Sequence, residues 1–269
     1  KNVEEFRRTF HLITYRCKAE DVIDMPAMIH EERTCELCPA AKKAYRDLET
    51  ELITEVASGI CTAANCLVRF LRLQQVTSGF IMLDQLSNPV LPCGKIIEID
   101  HAKEKVLKEL LEDAGGQPFV VFCRFVHDLA VVARVAQSLG LSYGELSGRR
   151  KDALTDQATL ADVQVAGVQI ASGGLGVDLS RASLACYYSL GFSSVEFEQS
   201  QARLRKPNKK ENVTYYHLLV EGSVDRVVYR ALRARKDVIE AVLEEYKREG
   251  SQGEGRPNRR RRDVEQRPE

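Results

Sequence analysis

Three side chains in the stretch EFEQSQARLRKPNKK, residues 196–210, could grip an anion together. If the stretch is helical, Gln199, Arg203 and Lys206 recur at spacings of four and three, which puts them on one face and leaves Arg205 on another. Pro207 would then end the helix at once. Such a row of donors suits a phosphate, although the same residue types also make up ordinary solvated helix faces. Two other segments share this chemistry. ASGGLGVDLSRAS, 171–183, follows an apolar run of strand length. There Gly173, Gly174 and Gly176 free the backbone to bring N–H donors close to a phosphate, and Asp178 could accept from a ribose hydroxyl. LSGRRKD, 146–152, offers Ser147, Gly148 and Arg149, and phosphate contact is its natural use. Each loop alone also reads as a turn. Several such segments at one sheet edge are harder to assign to chance.

The eight cysteines offer a different chemistry. Cys35 and Cys38 form a C-x-x-C, with His30 upstream and Cys61 and Cys66 downstream, so zinc is the natural test. The surrounding RTCELCPAAKKAYRDL reads as a strand running into a helix, without a Gly-rich knuckle, and the second pair has helical spacing. No metal site is therefore expected. Other cysteines lie inside apolar runs such as FVVFCRF and LACYYSL, where the thiol acts as a small hydrophobe and disulfides are not expected.

The elements that must position these residues follow from periodicity. AKKAYRDLETELITEVASG and AANCLVRFLRLQQVTSG predict two helices between Lys42 and about Gly79. Ile81 to Cys93, with Asn88, Pro89 and Pro92, reads as an irregular connection. Beyond it, helices alternate with strands: AKEKVLKELLEDAGG, HDLAVVARVAQSLG and residues 196–210 are helical, as is a polar segment ending near Asp162. PFVVFCRF, SYGELSG, VQVAGVQIAS, SLACYYSL and VTYYHLLVE are strands. SVDRVVYRALRARKDVIEAVLEEY predicts one long closing helix. Continuous apolar strands alternating with helices imply an α/β fold, a parallel sheet with helices on both faces, whose ligands sit beyond the carboxyl ends of the strands.

Composition narrows the classes further. The 269 residues carry 39 basic and 39 acidic side chains, and 44% of them are hydrophobic. Wholesale disorder is excluded, and any affinity for nucleic acid must come from local patches. No apolar run is long enough to cross a bilayer and KNVEEFRRTF lacks the core of a signal peptide, so a cytoplasmic protein with no membrane partner is expected. The opening on a charged amphipathic pattern without Met suggests a piece of something longer. The last residues, with four arginines at 259–262, have no apolar periodicity and read as a basic disordered tail, 247–269.

In order and spacing, PFVVFCRFVHDL, YGELSGRR, VQIASGGLGVDLSRA, YYSLGFSSVEFEQSQARLRKP and VTYYHLLVEGSVDRVVYRAL resemble the C-terminal RecA-like lobe of superfamily-two helicases, in the Swi/Snf-related branch of phages and prophages. FRRTFHLITYRCKAEDVIDMPAMIHEERTCEL looks like the end of the first lobe, giving expected boundaries of 1–41 for that end, 42–92 for a helical interlobe connection and 93–246 for the second lobe. The resemblance implies an ATP site between two lobes, with DNA lying across both. ATP and Mg would be held mainly by the first lobe of the same longer chain, because no G-x-x-x-x-G-K-[ST] occurs here.

By the resemblance, Gly174, Gly176 and Asp178 fall in the fifth motif, at the nucleotide. Gln199, Arg203 and Lys206 fall in the sixth, with Arg203 the arginine finger that stabilises charge on the transferring phosphoryl. Ser147, Gly148, Arg149, Ser172 and Gly173 are the expected DNA-backbone contacts. Relatives usually read Q-x-x-x-R-x-x-R and then P-G-Q; here Lys206 replaces the second arginine, and Asn208 and Lys209 replace the Gly and Gln. Lysine keeps the charge and loses the planar fork. Two readings stay open: an ATP-dependent translocase or helicase lobe, and a degenerate lobe that binds DNA or protein without catalysis.

Overall fold

A strand covered on both faces must be apolar at every position, and FVVFC is. In the computed structural model, which describes residues 3–14, 22–57, 63–83, 95–149, 163–172, 177–207 and 209–253, this run is the centre of the main sheet. The described elements are, in chain order, α1 (Val3–Ile13), β1 (Met28–Cys35), α2 (Pro39–Ala57), α3 (Ala63–Thr77), β2 (Phe80–Leu83), β3 (Lys95–Glu98), α4 (Ala102–Asp113), β4 (Phe119–Cys123), α5 (Val126–Ser138), β5 (Tyr143–Leu146), β6 (Val165–Gln169), a short 3₁₀ turn (Ile170–Ser172), β7 (Leu184–Tyr187), α6 (Ser194–Ala202), β8 (Val213–Val220), α7 (Val224–Arg233) and α8 (Val238–Gly253). Six strands pair in the order β1-β8-β7-β4-β6-β5, all parallel. The chain leaves β4 on one side to build β5 and β6, then adds β7 on the other. β4 is thus the switch point, where a crevice opens beyond the carboxyl ends of the strands.

Alternation along β4 divides the core into two layers. Phe119, Val121 and Cys123 meet Leu107 and Leu111 of α4 and Leu129 and Val132 of α5. Val120 and Phe122 face the other layer, with Leu52 of α2, Phe70 and Leu73 of α3, Phe197 of α6 and Val228 of α7. The helices read as an interlobe connection are therefore packed into the lobe's own core: Leu52, Phe70, Leu73 and Val76 are fully buried.

Several sequence expectations need correction. Met28–Cys35 falls in the stretch assigned to the end of a preceding lobe, yet every residue of it pairs with β8 as an edge strand of this sheet. Ile81–Leu83, the start of the stretch expected to be irregular, continues the strand begun at Phe80 and pairs antiparallel with β3. The long closing helix is two helices, because Arg235 takes φ 55° and the chain reverses. Arg235 N donates to Leu232 O and Lys236 N to Ala231 O, closing the first helix with a left-handed cap. The reversal brings Tyr246 against Phe70, ring centroids 6.1 Å apart, a contact that one straight helix could not make. Residues 247–253 belong to α8 rather than to a tail. Cys66 is disulfide-bonded, contrary to expectation, while Cys35, Cys38, Cys123 and Cys186 are free. The polar segment ending near Asp162 and the four arginines of the tail lie outside the described residues. Among the described residues no helix is long and apolar enough to cross a membrane.

A buried polar cluster ties the helices to the carboxyl ends of the strands. Lys103 Nζ of α4 lies 2.7 Å from Asp225 Oδ2 of α7, with both side chains buried. The same ammonium donates to Tyr188 O, and Thr77 of α3 donates to Asp225 Oδ1. Nearby, Ser189 Oγ donates to Asp128 and accepts from Arg124 N. Burial pushes the Asp128 carboxyl up to about 7, against the opposing effects of the Ser189 hydrogen bond and the Lys103 charge.

Candidate functional site

The site lies where β4 and β6 end and α6 crosses above them. Ser193 starts α6 by accepting from Glu196 N. Phe197 packs into the core, and Ser200 Oγ lies 2.5 Å from the Tyr187 hydroxyl of β7. These contacts fix the rotation of the helix, and with it the face that Gln199 and Arg203 present.

Gln199 and Arg203 line one small cavity together with Glu196, Ser200, Phe122, Val168, Ile170 and Ala171. Its volume is about 90 Å³. That admits a phosphoryl group; whole ligands occupy pockets of about 300 Å³ or more. Partial burial lowers the pKa of Arg203, yet a guanidinium remains charged at any working pH. Two members of the predicted stripe are thus together at the switch point.

The third is not. The helix stops at Ala202, with Arg203 as its C-cap, so Lys206 lies beyond it in non-helical chain. The cause is tertiary. Leu204 is drawn fully into the core, the Tyr215 hydroxyl donates to Gln201 O, and Leu179 N donates to Arg203 O. Carbonyls that another helical turn would have used are satisfied from elsewhere. Lys206 instead pairs with Asp178. Burial alone would raise the Asp178 pKa; hydrogen bonds from Lys206 and Ser180 outweigh it and hold the carboxyl below its ordinary value. Arg205 does point elsewhere, its Nε donating to Pro26 O.

Lys209 has a role that its position did not reveal. Its Nζ donates to Ser180 O at 2.7 Å and Ala182 O at 2.6 Å, and reaches Leu204 O at 3.4 Å. One ammonium therefore joins the loop carrying Asp178 to the turn carrying Arg203 and Lys206. Burial lowers its pKa, and the charges of Glu211 and Asp178 oppose that.

The expected DNA-contacting residues divide. Ser147 is fully buried, its Oγ donating to Glu145 Oε1 and accepting from Arg149 N, so it offers no hydroxyl at the surface. Gly148 N donates to Gln169 Oε1. Arg149, after β5, is exposed. Ser172 ends the 3₁₀ turn that follows β6. Gly173, Gly174 and Gly176 lie outside the described residues, as does Asn208.

Sequence reasoning missed Arg124, the first residue after β4. It sits with its guanidinium 3.8 Å from the Phe192 ring centroid and donates to Gln74 Oε1 of α3. Gln74 Nε2 in turn donates to Leu190 O. Burial brings the Arg124 pKa down to about 10, with the Glu196 and Asp128 charges opposing. A lone arginine at the carboxyl end of the switch-point strand was the available signal. Among the described residues no group of three or more His, Cys, Asp or Glu could hold a metal ion.

No family model matches the chain. Among solved structures, the C-terminal part of the Fun30 ATPase domain superimposes with a TM-score of 0.60 at 14% identity, over 85% of this chain and 99% of that one. The fold is that of a Swi2/Snf2 C-terminal ATPase lobe. The Sulfolobus solfataricus SWI2/SNF2 ATPase core in complex with dsDNA matches this lobe with a TM-score of 0.57 at 16% identity, over 92% of this chain and 53% of that one. Among curated proteins, putative protein p41 of Acyrthosiphon pisum secondary endosymbiont phage 1 is 24% identical over 247 residues, 88% of this chain and 50% of its own length. The chromatin-remodeling ATPase INO80 of Cryptococcus neoformans is 24% identical over 160 residues, 57% of this chain and 9% of its own. The chain thus spans half or less of the length of these two curated proteins.

Proposed function

We propose that this chain supplies the second half of an ATP site in a DNA-dependent translocase or helicase. The observation that carries the reading is the small cavity at the β4–β6 switch point, lined by Gln199 and Arg203, in a lobe of Swi2/Snf2 fold. Its size, with the Gln199 and Arg203 donors on one wall, suits one phosphoryl group and leaves the rest of a nucleotide to another lobe. Arg203 would lie against the transferring phosphoryl and stabilise its growing charge, with Gln199 beside it to orient an oxygen. ATP and Mg would be held mainly by a first lobe carrying a phosphate-binding loop. Closure of the two lobes would bring Arg203 to the phosphates, and reopening would advance the grip on DNA. Arg149, with the backbone at Gly148, Ser172 and Gly173, would meet DNA phosphates, predicting little sequence preference and strong salt dependence. The dsDNA complex of the Sulfolobus relative supports that part of the reading.

The second reading, a noncatalytic binding module, draws on Lys206, which has left the stripe and is paired with Asp178. One experiment separates the two: DNA-stimulated ATP hydrolysis by a longer natural chain carrying a phosphate-binding loop, beside the same chain with Arg203→Ala. Turnover that falls by about 10³-fold or more supports the arginine finger. Absent turnover in the parent, with DNA binding intact, establishes the noncatalytic module.

A further inference from the structure

We propose that Asp178 sets the phosphate affinity of this site by occupying Lys206, so that Lys206 reaches a ligand only when the ligand's oxyanions displace the carboxylate. The inference rests on the proposed nucleotide site and concerns its selectivity.

The two partners are held unequally. Asp178 is anchored: its Oδ1 accepts from Ser180 N, Leu179 N beside it donates to Arg203 O, and Lys209 holds the carbonyls of Ser180 and Ala182 from across the gap. Lys206 is held at its backbone, where its carbonyl accepts from Lys209 N, but its ammonium has Asp178 as its one described partner. Both side chains are close to half exposed, but Lys206 lies past the end of α6 on a stem of four rotatable carbons. The carboxylate is the fixed member and the ammonium the one that can swing.

Stability does not explain the pair. An ion pair this exposed contributes little to folding. Its placement says more: Leu179 N donates to the backbone carbonyl of Arg203, so Asp178 is one residue from a direct link to the arginine that lines the phosphoryl cavity, while Asp178 and Lys206 themselves stand outside its lining. An arriving anion therefore meets both repulsion from Asp178 and a competitor for Lys206. A singly charged anion gains too little to displace a tethered carboxylate. A di- or triphosphate carries several charges and can take the lysine, so the arrangement selects polyphosphates over small anions.

Asp178→Asn would keep the side-chain oxygen that accepts from Ser180 N and remove the charge. The test follows inorganic pyrophosphate, ATP and inorganic phosphate by NMR titration of the full chain, in the parent, Asp178→Asn, Lys206→Gln and the double variant, with Arg203→Ala as reference and thermal unfolding as the check on folding. Asp178→Asn is expected to bind pyrophosphate about threefold to tenfold more tightly and to narrow its preference over phosphate. Adding Lys206→Gln is expected to abolish that gain. Equal or weaker binding by Asp178→Asn, with binding in the parent lost on Arg203→Ala, overturns this proposal and leaves the nucleotide site standing. No binding by any variant overturns this proposal and leaves the nucleotide site to be decided by the hydrolysis experiment on the longer chain.

Discussion

Replacing Lys103 by Met would leave a carboxylate stranded in the core. The Lys103 side chain is 1% exposed and that of Asp225 is 6% exposed. Without the ammonium, Asp225 keeps Thr77 Oγ1 at 2.9 Å and a long contact to Val220 N, neither of which carries a charge. Tyr188 O loses its donor as well. Breaking a buried pair from one side costs about 3–5 kcal/mol, a large part of the roughly 5–15 kcal/mol that holds a typical domain together. For a chain of this size the melting temperature should fall by about 6–20 °C. Urea unfolding followed by far-UV circular dichroism measures the loss. The double variant Lys103→Met with Asp225→Asn should be less destabilised than the sum of the two single changes, because neither charge is then left alone. A cost under about 1 kcal/mol for Lys103→Met, or strict additivity in the double variant, would refute the claim that this pair acts as a buried, mutually dependent unit.

Two predictions concern pH. Asp128 titrates near 7 in the fold and from 3.8 ordinarily, so the folded state binds more protons between those values and stability falls as pH rises through that window. Asp128→Asn should flatten the slope in unfolding measured from about pH 4 to about pH 8. His30, hydrogen-bonded to buried His217 at 3.0 Å, is pushed down from 6.5 to about 4 by burial, with the Arg233 charge adding to it. Here the unfolded chain binds more protons, so this contribution is present above about 6.5 and is lost as pH falls toward 4; His30→Gln should remove it. Gly79→Ala should destabilise by about 1–3 kcal/mol in urea, since φ is +91° and the added Cβ would meet Asp100 O at 2.3 Å.

Much of this protein can be read locally. The run FVVFC, Phe119–Cys123, is apolar at every position and buried at every position, so the residue types alone required a strand covered on both faces. The helices Ala102–Asp113 and Val126–Ser138 fall where apolar spacing puts them. Gln199 and Arg203 share a cavity because they stand four positions apart on one helical face, and a local spacing rule is enough for that.

The amino-acid order was sufficient for whatever depends on neighbours a few residues away: most strand and helix positions, the α/β class, and the pairing of Gln199 with Arg203. Tertiary structure decided what depends on partners far along the chain. Lys206 left the stripe because Tyr215, Leu179 and the core site of Leu204 ended α6 early, and it then met Asp178, 28 residues back. Met28–Cys35 joined β8, and the closing helix broke at Arg235 so that Tyr246 could reach Phe70. In each case a burial or hydrogen-bond demand, set by a segment distant in sequence, outweighed a local preference worth less than about 1 kcal/mol per residue.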